Sequence, residues 1–255
     1  MKDSLFNFDG KTALVTGASR GIGEAIARGL ASRGAHVIVS SRRREGCDSI
    51  VHSIRDSGGS ADAMSCHIGN ISDMNALFQQ IEERYKKIDC LVNNAATNPY
   101  FGPILDTDAG AFQKTVDVNI RGYFIMSQLA GKCMKKNDGG SILNVASVFG
   151  KVPGSGQGIY SITKAAVISM TQAFAKECAP FGIRVNALLP GATNTKFAAA
   201  LVQNPVILKQ ALKHIPMKRV AEPDEMTAAA LYLLSDDASY TTGSCLTVDG
   251  GYLLV

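Results

Sequence analysis

A chain of 255 residues is long enough for one large domain, and its 46% hydrophobic content with 25 glycines suits a packed, turn-rich protein and excludes disorder. A formal net charge of +4 is too small for nucleic-acid binding through bulk charge. No apolar run reaches the ~18 residues of a membrane span, and Met1-Lys2-Asp3-Ser4 leads into polar sequence with no apolar signal core, so a soluble, cytoplasmic protein is expected.

In chain order, residues 11–16 (KTALVT) predict a strand, followed by a glycine-rich turn and a helix to about Ser32. Further strands are predicted at 35–40, 61–66, 88–92, 141–146, 183–189 and 245–248. Helical patterns lie between them. The first spans 72–86, with Met74, Leu77, Phe78 and Ile81 at helical spacing; others span 111–136, 160–179 and 196–215. The strands are short and show little polar alternation, as in a parallel sheet covered on both faces. Repeated strand–helix–strand units give a doubly wound α/β fold. One domain over 1–255 is expected, with a seven-stranded, mostly parallel sheet and helices on both faces. Ligands in such folds bind at the carboxyl ends of the strands. The six cysteines (Cys47, Cys66, Cys90, Cys133, Cys178 and Cys245) are scattered, with no Cys-x-x-Cys pair and no histidine at ligand spacing. Free thiols in a reducing compartment are expected, and no metal site.

The chemistry-bearing residues fall at those strand ends. Thr16-Gly17-Ala18-Ser19-Arg20-Gly21-Ile22-Gly23 joins the first strand to the first helix. Glycines allow a tight turn and let backbone N–H groups approach a pyrophosphate, and the helix N-terminus adds partial positive charge. Tyr160 and Lys164 are four residues apart on a predicted helix and share a face. A free tyrosine has a pKa of about 10, too high for efficient proton exchange near neutrality; a neighbouring ammonium lowers it. Ser147 ends the fifth strand, where its hydroxyl can bond a substrate oxygen. It lacks the Gly-x-Ser-x-Gly elbow and the histidine of a hydrolase nucleophile.

The glycine spacing is G-x-x-x-G-x-G. Further motifs follow in order: Asn93-Asn94-Ala95-Ala96, Asn119, Ser147, Tyr160-x-x-x-Lys164 and Pro190-Gly191. Over nearly its whole length the chain resembles the short-chain dehydrogenase/reductase family. The resemblance implies a Rossmann domain, hydride transfer between a nicotinamide nucleotide and a carbonyl or alcohol, and a homotetramer. It implies a catalytic set of Asn119, Ser147, Tyr160 and Lys164. Ser147 and Tyr160 would act on the substrate oxygen and Lys164 on the nicotinamide ribose. The Asn119 carbonyl would bind a water of the proton relay. It also implies cofactor contacts from Gly17, Ser19, Arg20, Gly21, Ile22, Gly23, Ser41, Arg42, His67, Ile68, Asn94, Ala95, Tyr160 and Lys164. The loop after the sixth strand would add Pro190, Gly191, Thr193 and Thr195.

Cofactor choice is read at the end of the second strand. An acidic residue there would accept from the ribose hydroxyls and select NAD. The chain instead has Ser41-Arg42-Arg43-Arg44, with Arg20 inside the glycine turn. A guanidinium matches a phosphate's charge and forked geometry. Arg20 and Arg42 are therefore expected to clamp the 2′-phosphate of NADP, with Ser19 and Ser41 as hydroxyl donors. Where the family usually has an Asp at the adenine, the chain reads Cys66-His67-Ile68-Gly69; His67 offers an acceptor nitrogen or its backbone.

Residues 98–101, 149–158 and a lid at about 193–215, with Phe197, Leu201, Val202, Ile207 and Leu208, are expected to wall a mostly apolar pocket. An apolar or modest-sized ketone fits such walls. Residues 35–43 and 98–102 resemble the carbonyl/retinal reductase branch. A 3-oxoacyl-(acyl-carrier-protein) reductase and a non-catalytic NADP-sensing protein are the alternatives. The expected partner is a small molecule, with no nucleic acid and no membrane.

Overall fold

Apolar side chains in the central strands alternate between two buried layers. In β1 (Thr12–Thr16), Ala13 and Val15 join one core and Leu14 the other; in β2 (His36–Ser41), Val37 and Val39 oppose Ile38 in the same way. A sheet of such strands needs helices on both faces. The computed structural model, which describes residues 5–198 and 204–254, has them there. β3 (Ser60–Ser65), β4 (Cys90–Asn93), β5 (Gly140–Val145), β6 (Ile183–Pro190) and β7 (Cys245–Val248) complete a seven-stranded sheet. Its order is β3-β2-β1-β4-β5-β6-β7, and every pairing is parallel. The order reverses between β1 and β4, which opens a crevice at their carboxyl ends.

α1 (Gly21–Ser32) and α2 (Arg44–Asp56) cover one face with Ile26, Leu30, Ile50 and Ile54. α3 (Ile71–Tyr85) covers the other with Met74, Leu77 and Ile81, the periodic positions of the sequence. α4 (Ala109–Val116) leads to α5 (Tyr123–Lys135), and α6 (Gly158–Cys178) lies on the same side as α3 and α5. α7 (Pro205–Lys213) and α8 (Thr227–Leu234) follow β6, with α8 on the α1 side.

Each predicted strand is present, shifted by no more than two residues at an end. The helix expected over 111–136 is not continuous. A π-helical turn at Asp117–Gly122 separates α4 from α5. Such a turn admits an extra residue and marks local demand on the backbone. Here the demand comes from Gly122, where a Cβ would collide with the Ile68 carbonyl, and from Asn119, whose side chain bonds outside its own helix. α2 and α8 were not among the predicted helices. Within α2 the buried Cys47, Ile50, Val51 and Ile54 follow helical spacing, but Arg, Glu, Asp and Ser crowd the residues between them. α8 reads TAAALYLL, too uniformly apolar to show a period. Of the lid positions, Leu201 and Val202 lie outside the described residues. Among the described residues, no helix is long and apolar enough to cross a membrane.

Candidate active site

Thr16, the last residue of β1, ties the glycine-rich turn to β4. Its hydroxyl donates to the Val92 carbonyl at 3.1 Å and accepts from the N–H groups of Asn94 (3.0 Å) and Ala95 (3.2 Å). The Asn94 carboxamide donates back to the carbonyls of Thr16 (2.9 Å) and Gly17 (3.2 Å). Gly17 has φ +64°, and a Cβ on it would lie 2.8 Å from Ala95 Cα, so both conformation and proximity require glycine. The turn delivers the chain into α1 with Arg20 at the N-cap, where no side chain caps the helix. Asn70 and Asp108 cap α3 and α4 through their side-chain oxygens. α1 therefore keeps backbone donors and partial positive charge at its N-terminus, in a cradle that suits a pyrophosphate.

The first turn of α2 packs on this cradle: a Cβ on Gly46 would sit 3.1 Å from Ser19 Cβ. Arg20, Arg42 and Arg43 stand exposed around it, and none has a carboxylate partner among the described residues. Arg44 points elsewhere and pairs with Asp48 at 3.6 Å. A cavity of about 290 Å³ opens beside Arg42, lined also by Cys66, Asp73 and Gln80. Two of the expected contact residues have local partners here. The Ser41 hydroxyl donates to the Arg43 carbonyl at 2.9 Å and accepts from the Cys47 thiol at 3.1 Å, so it shapes the arginine turn. His67 Nδ1 accepts from the Gly69 N–H at 3.0 Å, and the His67 N–H donates to Asp73 at 3.2 Å. That ring acceptor belongs to the turn leading into α3. Ile68 is buried next to it.

Ser147, Tyr160, Lys164 and Asn119 meet at the carboxyl end of β5, and all four are buried. Asn119 Oδ1 accepts from the Thr97 N–H at 2.9 Å, and its Nδ2 donates to the Thr97 carbonyl (2.9 Å) and Thr163 Oγ1 (3.1 Å). Thr163 Oγ1 in turn donates to the Tyr160 carbonyl at 2.8 Å. Asn119 thus joins the loop after β4, the π-turn and the first turns of α6. Lys164 Nζ donates to the Val145 carbonyl at 2.6 Å and to Tyr123 Oη at 3.4 Å, and lies 5.6 Å from the Tyr160 ring centroid.

Burial raises the Tyr160 pKa well above the ordinary tyrosine value, and a hydrogen bond with Ser147 offsets part of that rise. Burial also pulls Lys164 down to about 7. The sequence predicts that the ammonium lowers the tyrosine. In the protein alone burial raises the tyrosine instead, and the amine is bonded to Val145 and Tyr123, 5.6 Å from the Tyr160 ring centroid.

The loop after β6 closes the crevice. Gly191 N–H bonds the Val248 carbonyl at 2.9 Å, and Thr193, buried, donates to the Gly191 carbonyl at 3.1 Å. The Thr195 methyl lies 3.1 Å from where a Gly21 Cβ would stand, so this loop reaches the glycine turn. Phe197, half exposed, brings its ring to 5.5 Å from that of Tyr160. Phe149 packs edge-on against Tyr252 at 6.0 Å, and Gly102 N–H bonds the Gly156 carbonyl at 2.9 Å, joining two of the predicted pocket walls.

A family model described as Enoyl-(Acyl carrier protein) reductase matches residues 17–253. Dehydrogenase/reductase SDR family member 4 of Oryctolagus cuniculus is 37% identical over 250 residues, covering 98% of this chain and 95% of the relative. The chain is a short-chain dehydrogenase/reductase. A gluconate 5-dehydrogenase from Burkholderia cenocepacia, solved with NADP and tartrate, superposes with a TM-score of 0.94 at 32% identity, covering 98% of both chains. A 7α-hydroxysteroid dehydrogenase, solved with NADH and 7-oxo glycochenodeoxycholic acid, gives 0.92 at 34% identity over 96% of this chain and 95% of its own. One fold thus carries either nucleotide, and the choice falls to side chains.

In this short-chain dehydrogenase/reductase, Asn94 and Ala95 are tied to the glycine turn, and the loop after Pro190 meets that turn through Thr195. Sequence reading missed Thr16, Thr97, Thr163 and Tyr123, whose bonds build the site. The one local signal was a hydroxyl residue at a strand end or one helical turn from a named residue.

Proposed function

We propose that this enzyme is an NADP(H)-dependent carbonyl reductase of apolar or modest-sized substrates. The observation that carries this reading is a buried Tyr160, bonded to Ser147 beside Lys164, at the mouth of an uncapped glycine turn rimmed by unpaired arginines. Gly17, Gly21, Ile22, Gly23, Asn94 and Ala95 would hold the pyrophosphate and its neighbours, and Arg20 and Arg42 a 2′-phosphate. A nicotinamide bound there supplies or accepts the hydride.

Ser147 and Tyr160 hold the carbonyl oxygen, and Tyr160 releases its proton as negative charge develops there. A tyrosine raised above its ordinary value keeps that proton at neutral pH and so is in the form that can donate it to a carbonyl oxygen. Lys164, held at about 7, exchanges protons near neutrality and can restore the tyrosine. Asn119 fixes the relation of α6 to the π-turn and leaves its backbone to organise the relay. Phe197, Phe149 and Tyr252 favour an apolar ketone body. The whole chain is read as one domain with a lid at about 193–215. Exposed Phe112, Phe124 and Ile162 on α4, α5 and α6 support a homotetramer, and we place the enzyme in the cytoplasm as part of the same proposal.

Initial rates of NADPH and NADH consumption across a ketone panel test the reading. The panel should include cyclic and aromatic ketones and a 3-oxoacyl thioester. The expected result is turnover of apolar ketones with NADPH preferred. Preference for the thioester would make the enzyme an acyl-carrier reductase instead. Tight NADPH binding without turnover of any ketone would make it a sensor.

A further inference from the structure

Tyr123 has no part in the motifs by which the site was read. It is fully buried in the first turn of α5, immediately after the π-turn. Its hydroxyl donates to the Val145 carbonyl at 3.2 Å and accepts from Lys164 Nζ at 3.4 Å, while Lys164 Nζ donates to the same carbonyl at 2.6 Å. The three groups close a triangle. The Tyr123 ring centroid lies 5.0 Å from the Lys164 nitrogen, close enough for its face to attract a cation. Resting on the catalytic reading above, we propose that Tyr123 is a positioning residue whose hydroxyl and ring, with the Val145 carbonyl, form the berth that keeps Lys164 charged and fixed beside Tyr160.

The surroundings of Lys164 leave few other ways to hold that charge. α6 presents Tyr160 and Thr163, the π-turn presents Asn119, β5 presents the Val145 carbonyl and α5 presents Tyr123. No carboxylate lies within ion-pairing distance among the described residues. Burial disfavours the ammonium, so neutral acceptors and π faces must supply its stabilisation. Asn119 bonds Thr97 and Thr163, and Thr163 bonds the Tyr160 carbonyl, leaving Tyr123 as the side-chain oxygen that meets the amine. Tyr123 itself is raised far above ordinary tyrosine values by burial, so it is a neutral acceptor at working pH and takes no proton from the lysine. The π-turn gives Tyr123 its place: Gly122 lies against the Ile68 carbonyl and fixes where α5 begins.

Tyr123→Phe keeps the ring and removes the oxygen. The test reads Lys164 directly, by competitive acetylation of the nucleotide-free protein across pH with peptide-level mass spectrometry. The midpoint for Lys164 should move to lower pH by at least about half a pH unit, roughly threefold in the amine equilibrium. The lysine limb of the kcat profile should move the same way, while NADPH affinity stays within about twofold. Tyr123→Leu, which also removes the π face, should move the midpoint further; it provides a second reading if the first variant is unstable. An unchanged midpoint and profile in a folded Tyr123→Phe enzyme overturns the proposal. Tyr160→Phe, measured alongside, separates the two failures. If Tyr160→Phe still turns over, the catalytic reading itself is wrong. If it is inactive while Tyr123→Phe matches wild type, only the role of Tyr123 is lost.

Discussion

The floor of the crevice and its rim are built on opposite plans. At the floor, Asn119, Ser147, Tyr160 and Lys164 are buried and bonded to one another's neighbours before any ligand arrives. At the rim, Arg20, Arg42 and Arg43 are exposed and have no acidic partner among the described residues. The difference teaches which functions need preorganisation. Proton transfer loses rate steeply when donor and acceptor are misplaced, so its groups are fixed by packing. Phosphate recognition through long, charged side chains tolerates adjustment and gains from leaving guanidiniums uncommitted until an anion comes.

The contrast is broken most directly at the floor. Tyr160→Phe removes the proton and little else. Turnover should fall by about 10²- to 10⁴-fold, the usual contribution of a general acid, with NADPH binding within about twofold by fluorescence titration. A variant keeping a tenth of wild-type kcat would mean the proton comes from elsewhere. At the rim the effect should be smaller and selective. Arg42→Ala, alone and with Arg20→Ala, should lower kcat/KM for NADPH about tenfold per arginine, given the strength of a charge-assisted hydrogen bond discounted for exposure. The NADH value should barely change. Equal losses with both nucleotides would show that these arginines hold the pyrophosphate or the fold and do not read the 2′-phosphate.

The same contrast explains what the sequence made legible. The strands could be read because each is a short apolar run between turn residues, and the π-turn could not, because Asp117–Gly122 carries no proline and a single glycine is tolerated inside a helical pattern. The glycine turn and the Tyr160/Lys164 pair were visible because spacing alone encodes them. Their hydrogen-bond partners were not: Thr97 reaches Asn119 from 22 positions away and Thr16 reaches Asn94 from 78. Nor could spacing show that Ser41 and His67 Nδ1 serve their own turns, since a hydroxyl or an imidazole in a loop has local and ligand partners within equal reach. The direction of the Tyr160 shift was missed for a related reason. It is set by how deeply the fold buries the Tyr160 side chain, which four-residue spacing does not encode.

Another exposed arginine sharpens the comparison at its smallest expected effect. Arg219 grips Glu225 with both nitrogens, at 2.6 and 2.7 Å, and the same carboxylate accepts from the Glu222 N–H at 2.8 Å. The strap they hold pairs with the lid base: Ala221 N–H bonds the Ala192 carbonyl at 3.0 Å, and Asn194 N–H bonds the Ala221 carbonyl at 2.8 Å. The Arg219 bond, then the Glu222 N–H, bring Glu225 from 4.5 down to about 2. A carboxylate lowered on folding stabilises the native state above its ordinary pKa, and that contribution is lost as pH falls through the lowered value. Glu225→Gln should therefore lower Tm slightly at neutral pH, by less in high salt because the pair is exposed. The gap to wild type should narrow below about pH 4.5 and close near pH 2. Thermal melts from pH 7 to 2 measure it. A gap independent of pH would mean that shape and neutral hydrogen bonds hold the strap. Arg219 would then differ from the rim arginines in packing, not in having a charge to answer.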